Sequence, residues 1–180
     1  MKLLIVIDMQ KDFIDGVLGT PEAKNILPKV KEKIRTYVES RDAIVFTRDT
    51  HYENYLETQE GKNLPVPHCI EGTEGWNIHG DLEILDEEFN IINKETFGYI
   101  DWAPKLFRIF NYRTSEEIES IEIVGLCTDI CVISNAMILK ATFPEIPIIV
   151  DAACCAGVTP ESHRNALDAM RGCQIKIVNE

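Results

Sequence analysis

Long apolar runs are missing from this sequence of 180 residues, and none approaches the ~20 residues that a membrane-spanning helix needs. Glycine-rich phosphate loops are missing too. Gly72-Thr-Glu-Gly75 fits neither GxGxxG nor GxxxxGK[ST], which sets aside nucleotide binding of that kind. There is no CxxC redox pair, because Cys127 and Cys131 are one residue too far apart. Basic residues are scarce: 18 Lys and Arg face 30 Asp and Glu. The resulting net charge of −12 argues against nucleic acid and anionic membrane surfaces as partners. A charged-then-apolar leader is absent from the start, which is strand-like from Lys2 to Ile7, so a cytoplasmic location is expected. The six cysteines are not needed as disulfides in a chain with a normal core, and several sit in apolar stretches where free Cys packs as a small hydrophobe.

What is present reads as one globular α/β domain over residues 1–180, with 45% apolar residues spread along the chain. Strand-like runs occur at Leu3 to Ile7, Ala43 to Thr47, Phe89 to Asn93, Ser120 to Val124, Ile146 to Val150 and Gln174 to Val178. Between them, helical spacing predicts helices at Ile26 to Ser40, Trp102 to Tyr112, Asp129 to Thr142 and Pro160 to Arg171, the last capped by Thr159. Strands alternating with helices imply a doubly wound, Rossmann-like fold: a mainly parallel six-stranded sheet with helices on both faces. Tyr52 to Gly80 lacks periodicity and is too long to be filler, so it is expected to be a functional loop.

The polar residues of interest follow the carboxyl ends of different strands, where open α/β sheets place ligands. Asp8 follows the first strand, Asp49 the second, Lys94 the third, and the Cys127 to Cys131 segment the fourth. Carboxylate, amine and thiol together suit attack on an amide: the carboxylate takes the thiol proton and returns it to the leaving amine, and the ammonium favours the ionised sulfur. Either Cys127 or Cys131 fits this role. A thiol at a helix start is also expected to have its pKa lowered from ~8.5 toward neutrality. The second constellation is Asp49-x-His51 with His68 and a nearby glutamate, an N/O donor set suited to zinc- or manganese-like ions. His79 and His163 lack such company and read as structural or exposed. Cys154 and Cys155 read as packing residues.

These segments together resemble the isochorismatase-like cysteine hydrolase superfamily, in its metal-containing nicotinamidase/pyrazinamidase branch. Asp8-Met-Gln-Lys-Asp-Phe13 is similar to the D-x-Q-x-D-F opening, and Asp49-Thr-His51 to the D-x-H metal motif. His68-Cys-Ile-Glu-Gly-Thr-Glu-Gly75 resembles H-C-x-x-G-T-x-G, and Gly125-Leu-Cys-Thr-Asp-Ile-Cys-Val132 resembles G-x-x-T-D-x-C-V.

The resemblance implies Cys131 as nucleophile, Asp8 as general base and acid, and Lys94 as their positive neighbour. It places a cis peptide between Leu126 and Cys127, whose turn directs backbone N–H groups at an oxyanion. It implies one divalent ion, zinc foremost with manganese or iron as alternatives, held by Asp49, His51, His68 and Glu60, with Glu57 as the alternative to Glu60. Phe13 would wall the substrate pocket, and Phe97 or Tyr99 would supply further ring contacts. The implied activity is hydrolysis of nicotinamide to nicotinate and ammonia through a thioester, in a homo-oligomer, as part of pyridine nucleotide salvage. Two other readings compete: the same chemistry on another small amide or carbamoyl substrate, and a non-catalytic metal- or redox-binding domain.

Overall fold

The structure, a computed structural model, describes residues 1–82, 90–110 and 118–180. Six parallel strands form one sheet in the order β3-β2-β1-β4-β5-β6: β1 Lys2–Ile7, β2 Ala43–Asp49, β3 Asn90–Lys94, β4 Ser120–Leu126, β5 Ile148–Ala156 and β6 Lys176–Val178. The helices are the single turn α1 Lys11–Ile14, then α2 Pro21–Glu39, α3 Gln59–Asn63, α4 Trp102–Ile109, α5 Ile133–Thr142 and α6 Pro160–Gly172. A π-helical segment, Thr128–Val132, leads directly into α5.

β1 lies at the centre because its residues can be buried on both faces. Leu3, Ile5 and Ile7 join Ile121, Ile123, Val132 and Leu139 in the layer that holds Trp102 and Leu106 of α4 and Leu167 and Met170 of α6. Leu4 and Val6 point the other way, onto Ile26, Leu27, Val30 and Ile34 of α2. This is the period-two alternation of a strand between two helical layers. Fully burying one such aliphatic side chain contributes about 1.5–3 kcal/mol, so the double-sided sheet dominates the stability. The chain winds outward from β1 through β2 to β3, then returns to pair β4 with the free edge of β1. The winding direction therefore reverses between β1 and β4, and a crevice opens at their carboxyl ends.

Several boundaries differ from the sequence reading. α2 begins at Pro21, with Thr20 Oγ1 accepting from Ala23 N at 3.0 Å, a cap-and-proline start that outweighs the weak apolar periodicity before Ile26. β5 continues past Asp151 through Cys154 and Cys155, because the end of β4 offers it a partner: Gly125 pairs with Cys155 and Leu126 with Ala156. The predicted third strand includes Phe89 and the predicted fourth-region helix includes Tyr112; both residues lie outside those described. The segment from Tyr52 to Gly80 carries a 3₁₀ turn at Tyr55–Glu57, the short helix α3 and a second 3₁₀ turn beginning at Gly80. Thr159 caps α6 as expected, in a reciprocal pair with Ser162.

Candidate active site

Asp8 leaves β1 with φ 47°, a left-handed conformation that costs a non-glycine residue about 1–3 kcal/mol and persists only when its surroundings hold it. Those surroundings are Thr47 of β2 and Lys94 of β3. Thr47 Oγ1 donates to Asp8 Oδ1 at 2.6 Å and accepts from Asp8 N at 3.2 Å. Lys94 Nζ lies 2.6 Å from Asp8 Oδ2 and 3.3 Å from Asp49 Oδ1, and it donates to Thr96 O at 3.2 Å and to Cys131 Sγ at 3.6 Å. Both side chains of the Lys94–Asp8 pair are fully buried. Carboxylate, ammonium and thiol thus meet from three strand ends, and the thiol they meet is Cys131.

Burial governs the electrostatics. It pushes the Asp8 carboxyl above its usual range, with Lys94 opposing and Asp49 reinforcing the shift. Burial also pushes the Cys131 thiol well above the ordinary thiol range; Lys94 pulls it down, but Asp8 and Asp49 act with burial. The expectation of a lowered cysteine pKa is therefore reversed. Desolvation of the thiolate and two neighbouring carboxylates outweigh one ammonium and a helix start. Asp8 Oδ2 faces both the Lys94 ammonium, at 2.6 Å, and the Cys131 thiol.

The Leu126–Cys127 peptide is cis. Just before it, Gly125 has φ 119° and lies so close to β1 that a Cβ would sit 2.1 Å from Ile7 O, so only glycine fits. After it, Val132 N donates to Cys127 O at 3.0 Å, closing the wide π turn that carries Cys131.

Asp49, His51, Glu60 and His68 each aim one donor atom at a common point, all within 4.8 Å of one another. His51 Nε2 is 3.0 Å from Asp49 Oδ2 and 3.5 Å from Glu60 Oε1, yet no aligned hydrogen bond reaches it from the described residues. His68 donates Nδ1–H to Val66 O at 2.8 Å, since a carbonyl can only accept, and this turns Nε2 toward Asp49 and Glu60. Burial pulls His51 down, but Asp49 and Glu60 beside it lift its pKa to about 9. A buried cradle this negative favours a cation. Two imidazoles and two carboxylates match a divalent ion that accepts N and O ligands. Glu57, the alternative ligand, is exposed on the 3₁₀ turn.

Thiol and cradle open into one cavity of about 740 Å³, lined by Phe13, Phe97, Leu126, Cys127 and Cys131 together with Asp49, Glu60 and His68. Tyr99 is not in that lining. Its ring stands edge-on to Trp102 at 5.4 Å and its N–H donates to Asn135 Oδ1 at 2.9 Å, so the expected ring contact does not form. Cys127 lines the cavity as a second thiol, pushed up to about 12 by burial. His163, read as structural or exposed, is half-buried, and its Nδ1 is 2.8 Å from Thr128 Oγ1.

Three further residues support the site: Gln10 and Asp12 belong to the D-x-Q-x-D-F opening, whereas Asn135 was not singled out in the sequence. Gln10 bridges the end of β2: it donates to Asp49 O at 2.8 Å and accepts from Asp49 N at 2.7 Å. Asp12 Oδ2 accepts from Cys69 N at 2.8 Å, tying the metal loop to α1. Asn135 Oδ1 accepts from Tyr99 N and Trp102 Nε1, while its Nδ2 donates to Phe97 O and Cys131 O. A buried asparagine one turn past the thiol, in an apolar helix, was the available signal for the last.

A buried thiol beside a carboxylate and an ammonium, with a four-residue N/O donor cradle, sits at the topological switch of a doubly wound parallel sheet, an arrangement that defines a hydrolase-type site. The chain belongs to the isochorismatase domain family, whose pattern matches residues 2–179. It is similar to the pyrazinamidase of Pyrococcus horikoshii, solved in complex with zinc, at 31% identity and TM-score 0.79 over 99% of both chains. It is also similar to the nicotinamidase/pyrazinamidase PncA of Bacillus subtilis, at 26% identity and TM-score 0.82 over 99% of this chain and 100% of that one. The nicotinamidase/pyrazinamidase of Mycobacterium tuberculosis is 23% identical over 99% of this chain and 98% of its own length.

Proposed function

We propose that this protein is a metal-dependent cysteine amidohydrolase that converts nicotinamide to nicotinate and ammonia. The observation that carries the reading is the meeting of Cys131 with Lys94 and Asp8 in the same cavity as the four-residue metal cradle. The relatives named nicotinamidase and pyrazinamidase support the substrate.

Cys131 rests as a neutral thiol. When the amide carbon approaches, Asp8 takes the Sγ proton and the sulfur attacks, while Lys94 offsets the negative charge of the cluster. The oxyanion is received by the backbone N–H groups of Cys127 and Cys131 beside Leu126, in the manner of an oxyanion hole. Protonated Asp8 then returns its proton to the leaving nitrogen; ammonia departs and Cys131 is left as a thioester. Asp8 next removes a proton from water as its oxygen attacks the thioester carbon; the C–S bond breaks, the sulfur takes that proton back from Asp8, and the product leaves as nicotinate with its acid proton passing to solvent. Asp49, His51, Glu60 and His68 would hold zinc, manganese or iron. Such an ion, when bound, supplies a Lewis-acid anchor for the ring nitrogen of the substrate. Phe13 and Phe97 flank the ring.

We place the protein in the cytoplasm, as a single-domain subunit of a homo-oligomer acting in pyridine nucleotide salvage. Six free cysteines support a reducing compartment, and symmetric assemblies are the rule among soluble oligomers. The test is ammonia release from a panel of amides with zinc-, manganese- or iron-loaded protein. Cys131→Ala should remove activity by about 10⁴-fold or more, in line with loss of a covalent nucleophile, while Cys127→Ala retains it. Retained turnover in Cys131→Ala, or a panel with no ammonia from nicotinamide, overturns the reading.

A further inference from the structure

The π turn that carries Cys131 has little of its own to hold it. It is one wide turn, Thr128–Val132, and Cys127 at its start gives it no side-chain cap. Such turns are rare and frequently sit at functional sites. Its first two side chains reach instead to the segment beyond β5. Thr128 is fully buried, and its Oγ1 lies 2.8 Å from His163 Nδ1, its one hydrogen-bond partner among the described residues. Asp129 Oδ1 accepts from Val158 N at 3.1 Å. Neither Thr128 nor Asp129 has a part in the chemistry proposed above.

α6 is a firm post for this contact. Thr159 and Ser162 cap it reciprocally, Pro160 opens its first turn, and His163 N donates to Thr159 O at 3.0 Å. Leu167 and Met170, one and two turns past His163, fix the same face of the helix in the core. Gly157 lets the loop close on both partners: a Cβ there would lie 2.9 Å from His163 N and 3.0 Å from Asp129 Oδ1. Burial holds the His163 pKa below its ordinary value, with Asp129 and Glu180 opposing and Arg164 reinforcing the shift. The ring is therefore neutral at neutral pH, and Nδ1 either donates to the Thr128 hydroxyl or accepts from it.

We propose that His163 is a positioning residue for the nucleophile: acting through Thr128, it fixes the π turn so that Cys131 Sγ stands against Lys94 and Asp8. The inference rests on the amidohydrolase reading for its kinetic test. Without the ring, the buried Thr128 hydroxyl loses its partner, and the turn shifts to find it another. A displacement of ~1 Å at the reacting atom costs about 10²-fold in rate. From 3.6 Å, at an effective dielectric of ~20, the same ~1 Å retreat from Lys94 raises the Cys131 pKa by about 0.7.

The experiment measures kcat and KM for ammonia release from nicotinamide, the urea midpoint, and the pH midpoint of Cys131 alkylation by iodoacetamide, read by peptide mass spectrometry. Zinc-loaded wild type is compared with His163→Leu, His163→Asn, His163→Gln, Thr128→Val and Met170→Ala. The carboxamide of Asn reaches about the place of Nδ1, whereas that of Gln reaches the place of Nε2. Met170→Ala removes core packing from the same helix but not the Thr128 hydrogen bond. His163→Leu and Thr128→Val should lower kcat by about 10–100-fold with KM within about threefold, and move the alkylation midpoint up by about 0.5 pH unit or more. His163→Asn should recover kcat to within about threefold of wild type, and His163→Gln should not. Met170→Ala should lower the urea midpoint yet keep kcat within about twofold. The positioning role is overturned if His163→Leu and Thr128→Val both keep kcat within about threefold, if His163→Asn does no better than His163→Leu, or if Met170→Ala costs as much kcat as His163→Leu. Should His163→Leu not fold, Thr128→Val carries the same expectation. Absence of ammonia from every amide with wild type overturns the amidohydrolase reading, and the alkylation midpoints then decide the positioning role by themselves.

Discussion

Replacing Lys94 with methionine removes the ammonium while keeping most of the volume, and the structure sets the expected cost. Nζ lies 2.6 Å from Asp8 Oδ2 and 3.3 Å from Asp49 Oδ1, with Lys94 and Asp8 fully buried. Deleting one partner of a buried pair leaves an uncompensated charge and costs about 3–5 kcal/mol. At about 2–4 °C per kcal/mol for a domain of this size, Tm should fall by about 6–20 °C. The pH dependence has a definite sign. Burial raises the Asp8 carboxyl above its unfolded value of 3.8 in the intact protein, and losing Lys94 raises it further. A carboxyl with a raised folded pKa weakens the fold above that pKa and ceases to do so once protonated in both states. The penalty of Lys94→Met is therefore largest at neutral pH and shrinks as pH falls toward 4. Asp49, whose carboxyl Lys94 helps to hold down from 3.3 Å, loses the same charge and adds to the penalty at neutral pH. The same deletion affects the nucleophile. At 3.6 Å and an effective dielectric of ~20, ammonium and thiolate attract by about 5 kcal/mol, or about 3 pK units. Alkylation of Cys131 by iodoacetamide at pH 8, followed by peptide mass spectrometry, should slow by up to about 10³-fold. Urea unfolding of wild type, Lys94→Met, Asp8→Asn and the double variant completes the cycle, and the double variant should recover at least about 2 kcal/mol over Lys94→Met. A Lys94→Met protein within 1 kcal/mol of wild type at pH 7.5, or a double variant no more stable than the single, refutes the buried-pair argument.

Gly125→Ala should be among the most damaging single methyl additions, costing about 3 kcal/mol or more in urea unfolding, because its Cβ would meet Ile7 O at 2.1 Å and its φ is 119°. Asn135→Leu should cost about 2–4 kcal/mol by thermal melts, since Tyr99 N, Trp102 Nε1, Phe97 O and Cys131 O all lose a partner; kcat should fall with it, as the loop carrying Phe97 loosens. Stripping the ion with a chelator should lower Tm by about 5–10 °C relative to protein held at 100-fold excess over Kd, from about 2.7 kcal/mol of linkage. His68→Ala should abolish that ion-dependent difference, and calorimetric titration with zinc would show the lost site directly.

Much of the fold could be read along the chain. The apolar runs of β1, β2 and β4 and the Thr159-Pro160 start of α6 are local signals, and the alternation of strand and helix is enough to imply a parallel sheet. The candidate site was legible as a list of parts for the same reason: Asp8, Asp49, Lys94 and Cys131 each close a strand or open the turn after it. Misjudged boundaries came from competition between local cues or from partners distant in sequence. Pro21 and Thr20 started α2 where apolar spacing alone pointed later. The small residues Ala152 to Ala156 carry little strand preference of their own, and they extend β5 because β4 is there to pair with them. Tyr99 has the right residue type for a pocket wall, but Asn135 holds its backbone and Trp102 its ring on the core side.

The sequence by itself determined the order of elements, the residues at the strand ends and the donor types of the metal cradle, because these depend on side-chain chemistry and short-range periodicity. Tertiary structure decided which thiol meets Lys94, which glutamate joins the cradle, and the direction in which that thiol's pKa is shifted. Those depend on burial and on neighbours far apart along the chain, such as Asp8, Lys94 and Cys131. A helix start alone would have lowered the Cys131 pKa; exclusion of water and two facing carboxylates raise it instead.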